Sequence, residues 1–244
     1  MPPRLKAFAI HLIASILLAI FALILVFLIW YPAPLAQAVG VTHIFLLMLG
    51  IDVILGPLLT LFVYKTGKRT LKLDLTIIIV IQLAMFGYGL NTVAQGRPAW
   101  LVFNNDQFYL VRPSNIDPLI SRKAAPEYRS ASWFGPKWVS VQLPSEKMAR
   151  RSIISETLQS GAGLFNSPTL YGPIQHDLTK IESQARDFRE LEKFNSPLAI
   201  ESTIKKWPKA MKWLPLWSSQ KGMTVLLDGM GNVIAITDLN PWKQ

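Results

Sequence analysis

Three long apolar runs fill the first part of the chain, and beyond them the pattern shifts to short alternating stretches broken by proline, glycine and charge. From Ala7 to Trp30 the only polar side chains are His11 and Ser15. A helix rises 1.5 Å per residue, so this run crosses a hydrocarbon core of about 30 Å. A second run extends from His43 to Tyr64 and a third from Leu75 to about Val93, and each predicts another spanning helix. Arg4 and Lys6 before the first run and Ala36-Gln37-Ala38 after it imitate a cleavable signal peptide. The run is longer than the roughly 7–15 apolar residues of such a signal, which predicts an uncleaved anchor.

Charge follows the same division. Of all Lys, Arg, Asp and Glu, only Arg4, Lys6, Asp52, Lys65, Lys68, Arg69, Lys72 and Asp74 precede residue 95. The expected organisation is therefore a transmembrane domain over 1–95, with spans at about 7–30, 43–64 and 75–93, and a second domain over 96–244. Basic residues lie before the first span and between the second and third, whereas Pro32 to Thr42 carries no charge. The positive-inside rule then places the N-terminus and the second loop in the cytoplasm and everything after Gln95 on the far side. Trp30 and Tyr31 fall at the outer interface, where amphipathic rings accumulate.

Inside the spans one acid stands out. Asp52 costs about 2.5–3.5 kcal/mol at bilayer centre on insertion scales, so it must face protein or water. Gln82 lies at matching depth in the third run and is expected to satisfy the Asp52 side chain. Two readings remain open for Asp52, a structural hydrogen bond between helices or recognition of a partner. Gly56-Pro57 follows one turn later, removing a backbone donor and predicting a kink.

The remainder reads as α+β. Ala99–Phe103 and Phe108–Val111 are β-prone runs around Asn104–Gln107, a hairpin with a four-residue loop. Met223–Leu227 and Val233–Thr237 flank Asp228-Gly-Met-Gly-Asn232, a second hairpin whose glycines permit positive φ. Leu178, Ile181, Ala185, Phe188 and Leu191 make one helical stripe. Ser196-Pro197 signals a helix running toward Trp207, and Ser145 one running to about Gln159. Lys212-Trp-Leu-Pro-Leu-Trp217 is broken by proline and could expose Trp213 and Trp217. The stretch 113–144 is punctuated by prolines and gives no assignable pattern.

A net charge of +10 raises the question of nucleic acid. Part of the excess sets topology and the rest is dispersed with no basic arm, so no nucleic-acid partner is expected and an anionic membrane surface fits better. The chain has no cysteine, and His11, His43 and His176 form no pair at metal-ligand spacing. Ser202-Thr-Ile-Lys205 and Ser218-Ser-Gln-Lys221 match S-x-x-K, but Lys65-Thr-Gly67 lies across the membrane from both. An intramembrane aspartyl protease needs two aspartates in one site, and Asp52 is alone in the bilayer. The reading is of no enzyme, no metal, no cofactor and no small-molecule substrate. A binding or assembly protein remains, and a membrane-anchored sensor or binding module is the other class.

Several segments resemble one family. Gly50-Ile-Asp-Val-Ile-Leu-Gly-Pro-Leu-Leu-Thr-Leu61, Lys72-Leu-Asp-Leu75, Ile81–Leu90, Arg97-Pro-Ala-Trp-Leu-Val-Phe103 with Asp106 and Phe108, Val225–Asp228 and Asp238-Leu-Asn-Pro-Trp242 resemble the TfpX/TfpZ type IV pilin accessory proteins of Gram-negative bacteria. The resemblance covers about residues 40–110 and 213–242. It implies an inner-membrane protein that assists a type IV major pilin before or during fibre assembly, with membrane lipid as its other partner. On this reading Asp52, Gly56, Pro57, Gln82, Arg97, Trp213 and Trp217 are the binding or structural candidates. Gly50, Gly56 and Gly87 would let a pilin helix approach closely, and the two tryptophans would meet the pilin head.

The uneven loop charges generate a direct expectation. A reporter active only outside the cytoplasm should be active when fused after Gln95 or Asp228 and silent near Gly67. The reverse pattern would contradict the orientation.

Overall fold

The computed structural model describes residues 1–159 and 163–243. The first apolar run forms α1, Pro3–Ile24, and continues as a wider π-helical turn over Leu25–Trp30. A short helix, α2 (Leu35–Val39), occupies the first loop, and α3 (Val41–Val63) and α4 (Leu71–Gly96) are the second and third long helices. All three long helices are apolar enough to cross a membrane, as their patterning predicted; each starts two to four residues earlier than read from sequence, and α4 also runs on to Gly96. Gly40, at φ +76°, ends α2 in the left-handed region and lets α3 start at the next residue. Helix α3 runs through Gly56-Pro57 without a break.

A seven-stranded mixed sheet follows. Its strands are β1 (Trp100–Asn104), β2 (Gln107–Val111), β3 (Lys137–Val141), β4 (Tyr171–Pro173), β5 (Lys212–Trp217), β6 (Met223–Leu227) and β7 (Val233–Thr237). The spatial order is β4-β3-β1-β2-β5-β6-β7. Both predicted hairpins are present, and β5, parallel to β2 and antiparallel to β6, joins them. The first has a tighter turn than expected. Asn104 pairs with Gln107, because backbone pairing is indifferent to their polar side chains, so only Asn105 and Asp106 make the turn. Asn105 takes φ 64°, which asparagine tolerates. In the second hairpin, Asp228 Oδ1 accepts the Met230 and Asn232 amides and Gly231 takes φ +83°.

Three other expectations are corrected or completed. The stretch 113–144 holds 3-10 turns at Pro113–Asn115 and Pro126–Tyr128, helix α5 (Pro118–Lys123) and β3. The single helix expected from Leu178 to Leu191 is split into α7, here Leu178–Gln184, and a 3-10 segment over Phe188–Lys193. Between them Arg186 leaves the helix to exchange backbone bonds with Trp213 at 2.9 and 3.0 Å. Ile181 and Leu191 are nevertheless fully buried, so the apolar spacing reported burial faithfully and helix continuity wrongly. Helix α6 (Lys147–Gln159) and helix α8 (Pro197–Lys206) form where read, the latter with Ser196 accepting the Ala199 amide.

Lys212–Trp217 is an interior strand, contrary to the proline-broken segment read from sequence. Trp213 directs its backbone groups at Arg186, so those of Pro215, two residues on, also point away from β6. The missing proline N–H therefore takes nothing from the β5–β6 ladder.

One sheet face carries Leu101, Phe103, Leu110, Leu214, Leu216 and Val225, and packed among them are Leu35 and Ala38 of α2. The Ala38 carbonyl also accepts the Gln220 and Lys221 amides at 3.2 and 3.3 Å and lies 2.8 Å from Ser218 Oγ. The first loop is thus built into the C-terminal fold. Trp30 and Tyr31, at the end of the first span, are packed within the protein at 4% and 1% exposure. The Tyr31 hydroxyl donates to the Val93 carbonyl at 2.7 Å, and burial raises its pKa above the usual phenol value, which keeps it a donor.

Candidate functional site

Helix α3 packs against both α1 and α4, and it forms the floor between them. Above that floor lies a groove of about 410 Å³. Its walls are Ala7, Ile10, Ala14 and Leu18 of α1, at helical spacing, and Leu75, Ile79 and Leu83 of α4. His11, Ser15, Thr60 and Gln82 bring polar atoms to the same groove.

These four side chains are satisfied among themselves, and one backbone group sets their orientation. Gln82 Nε2 donates to the Asp52 carbonyl at 3.0 Å and to Ser15 Oγ at 3.1 Å. A carbonyl can only accept, so the amide nitrogen must face Asp52 and Gln82 Oε1 is turned to His11 Nε2, 2.8 Å away. In the neutral imidazole Nε2 then carries the proton, and Nδ1 accepts from the Thr60 hydroxyl at 2.7 Å. Hydrogen bonds from one glutamine thereby tie α4 to α1 and α3, and His11 closes the circuit.

Gly56 makes room for this. A Cβ at that position would lie 1.9 Å from Gln82 Oε1, so any side chain would expel the amide. Gly56 is accordingly not a free surface, contrary to the sequence reading, whereas Gly50 and Gly87 have open space around them. Pro57, buried beside Gly56, adds no polar contact to the circuit.

The expected pairing of Gln82 with the Asp52 side chain is also corrected. The two residues meet at the depth predicted, but Gln82 takes the backbone carbonyl, and Asp52 Oδ2 is buried with no hydrogen-bond partner among the described residues. Side-chain depth was legible in the sequence; which acceptor the amide would choose was not. His11, Ser15 and Thr60 were missed as site members. The signal was available for the first two, the sole polar side chains of their run and one helical turn apart.

Arg97 lies apart from this network, directly after α4. It is 4% exposed and makes no ion pair among the described residues. Its guanidinium donates to the carbonyls of Ala94 (2.5 Å), Ser132 (3.2 Å) and Ala131 (3.2 Å) and lies 4.5 Å from the Trp133 ring centre. Burial holds its pKa below the usual guanidinium value. Trp213, one of the two candidate anchors, is fully buried in β5, with its indole N–H donated to the Asp187 carbonyl at 2.8 Å. Trp217, one residue past the last buried position of that strand, is 43% exposed beside the stacked rings of Tyr109 and Phe165.

A family model for the fimbrial assembly protein FimB matches residues 1–40, which hold α1, its π-helical turn and most of the loop seated in the sheet. A fimbrial assembly protein of Dichelobacter nodosus, serogroup E1, is 28% identical over 98% of this chain and 96% of its own length. A second from that organism, serogroup I, is 32% identical over 74% of this chain and 71% of its own length. A third, of serogroups C1 and C2, is 36% identical over 46% of this chain and 86% of its own length. No solved structure matches.

The Gly56–Gln82 contact carries a stability prediction. Gly56→Ala should displace the amide and cost roughly 1–2 kcal/mol, the scale of interhelical hydrogen bonds in bilayers. In a Gln82→Ala background the same change should cost far less, as unfolding in detergent would measure. Asp52→Leu should leave Gln82 paired, because any residue supplies the carbonyl. Equal costs of Gly56→Ala in the two backgrounds would contradict the geometry.

Proposed function

This chain belongs to the FimB family of fimbrial assembly proteins, and from that premise we propose that it is a type IV pilin accessory protein of the TfpX/TfpZ kind. It acts as a membrane chaperone, binding pilin subunits and assisting their assembly into the fibre. It works by binding and not by chemistry, resides in the inner membrane, and holds its C-terminal domain in the periplasm. The observation that carries this reading is the 28% identity with a fimbrial assembly protein across 98% of the chain, a span that includes both the membrane helices and the sheet.

The groove between α1 and α4 is where a pilin's apolar helix rests. Its walls are apolar and its polar floor is already satisfied, so an apolar helix enters without leaving a hydrogen bond broken. Helix α4 has the surface for it, since only 6% of its most apolar stretch is buried within the protein. Trp217 is the anchor candidate on the C-terminal domain, because a half-exposed aromatic can still bury large area at little entropic cost.

Deleting the gene should lower surface pili, read as sheared-fibre yield and twitching, while pilin transcription stays unchanged. A version ending near Gln95 should not restore them, since it lacks the sheet that seats α2. Normal piliation in the deletion strain would reject the function.

A further inference from the structure

Seven residues, Ser130-Ala-Ser-Trp-Phe-Gly-Pro136, contain no charge and carry two of the most exposed aromatic side chains of the C-terminal domain. Trp133 is 58% exposed and Phe134 is 88% exposed. Neither belongs to any of the hydrophobic clusters of the fold. Exposed apolar rings in a water-facing loop need an explanation, and here their position supplies one.

The loop is fixed at the ends of two long helices. The Trp133 ring lies 5.7 Å from that of Trp30, the last residue of the π-helical turn that finishes the first span. Its other side is held by Arg97, the first residue after α4, whose guanidinium also binds the Ala131 and Ser132 carbonyls. Gly135, at φ +88°, turns the chain beside the Ile29 carbonyl. The phenylalanine is thus presented at the level where the first and third spans leave the hydrocarbon. Aromatic side chains at that depth meet headgroups and the first methylenes of the acyl chains. Arg129 and Lys137, both exposed, bracket the loop on either side with positive charge, which suits anionic headgroups.

We propose that the Trp133-Phe134 loop is a membrane-surface anchor, inserting its rings into the lipid interface on the side of the C-terminal domain and holding that domain down on the bilayer. The occupant of the exposed patch is lipid. Arg97 is then a positioning residue, and its buried charge orients the loop through two of its carbonyls and a ring face.

The chain has no cysteine, so a single one can be placed at will. Phe134→Cys, and Leu198→Cys as a control on α8 at 77% exposure, are labelled with an environment-sensitive fluorophore. Each full-length protein is reconstituted alone into vesicles of phosphatidylethanolamine and phosphatidylglycerol carrying a lipid spin-labelled near the headgroup or near the chain end. The expected result is blue-shifted emission at position 134, mostly lost to the headgroup-proximal spin label and less to the deep one, and unchanged emission at 198. The quenching should not vary as protein is diluted in lipid. Emission at 134 that is no more quenched than at 198 would overturn the proposal, whether water or a second copy of the chain covers the loop.

Discussion

The carbonyl of Ala38 gathers donors from the turn between β5 and β6, and through it the loop between the first two spans becomes part of the C-terminal core. Leu35 and Ala38 lie among the buried side chains of one sheet face, so that face is complete only when the membrane helices present the loop to it. Apolar burial at about 25 cal/mol per Å² makes such a seat hard to leave once formed. Tyr31 adds a second tie, from the end of the first span to the end of the third. With both in place the helices and the sheet hold fixed positions relative to each other, and a partner that touches one is registered against the other.

Within the membrane half, the corresponding constraint is the absence of a side chain at Gly56. Lipid offers no hydrophobic drive for helices to associate, so close packing and interhelical hydrogen bonds must do it. Gly56 admits the Gln82 amide, and the amide links α4 to both neighbours. A wedge is left between α1 and α4 above the α3 floor, and it becomes the groove. The polar side chains that line it, His11, Ser15, Thr60 and Gln82, all have partners, so an apolar occupant would break no hydrogen bond there.

Much of this was legible in the sequence where a single physical scale dominates. Bilayer thickness fixes the length of an apolar run, and three runs gave three helices. Turn chemistry fixed the second hairpin at Asp228–Asn232, and Ser196-Pro197 fixed the start of α8. Legibility failed where long-range pairing decides. Pro215 looked like a strand breaker because the sequence does not say which way its missing N–H would have pointed. Arg186 breaks a helical stripe only because Trp213 awaits it in another part of the chain. At the candidate site, the depth match of Asp52 and Gln82 followed from counting residues, whereas the choice of a backbone acceptor depended on a glycine one turn away. His11 and Ser15 were visible as the only polar interruptions of their span, yet without α4 beside them nothing named their partner.

The account as a whole rests on an apolar pilin helix lying between α1 and α4. Its most direct test is a photo-activated crosslinker at Leu83, which lines the groove and is 54% exposed, compared with one at Ile54, 56% exposed outside the groove lining on α3. In piliated cells the Leu83 probe should capture the major pilin and the Ile54 probe should not. Pilin captured equally from both positions, or from Ile54 alone, would contradict the groove as the binding site.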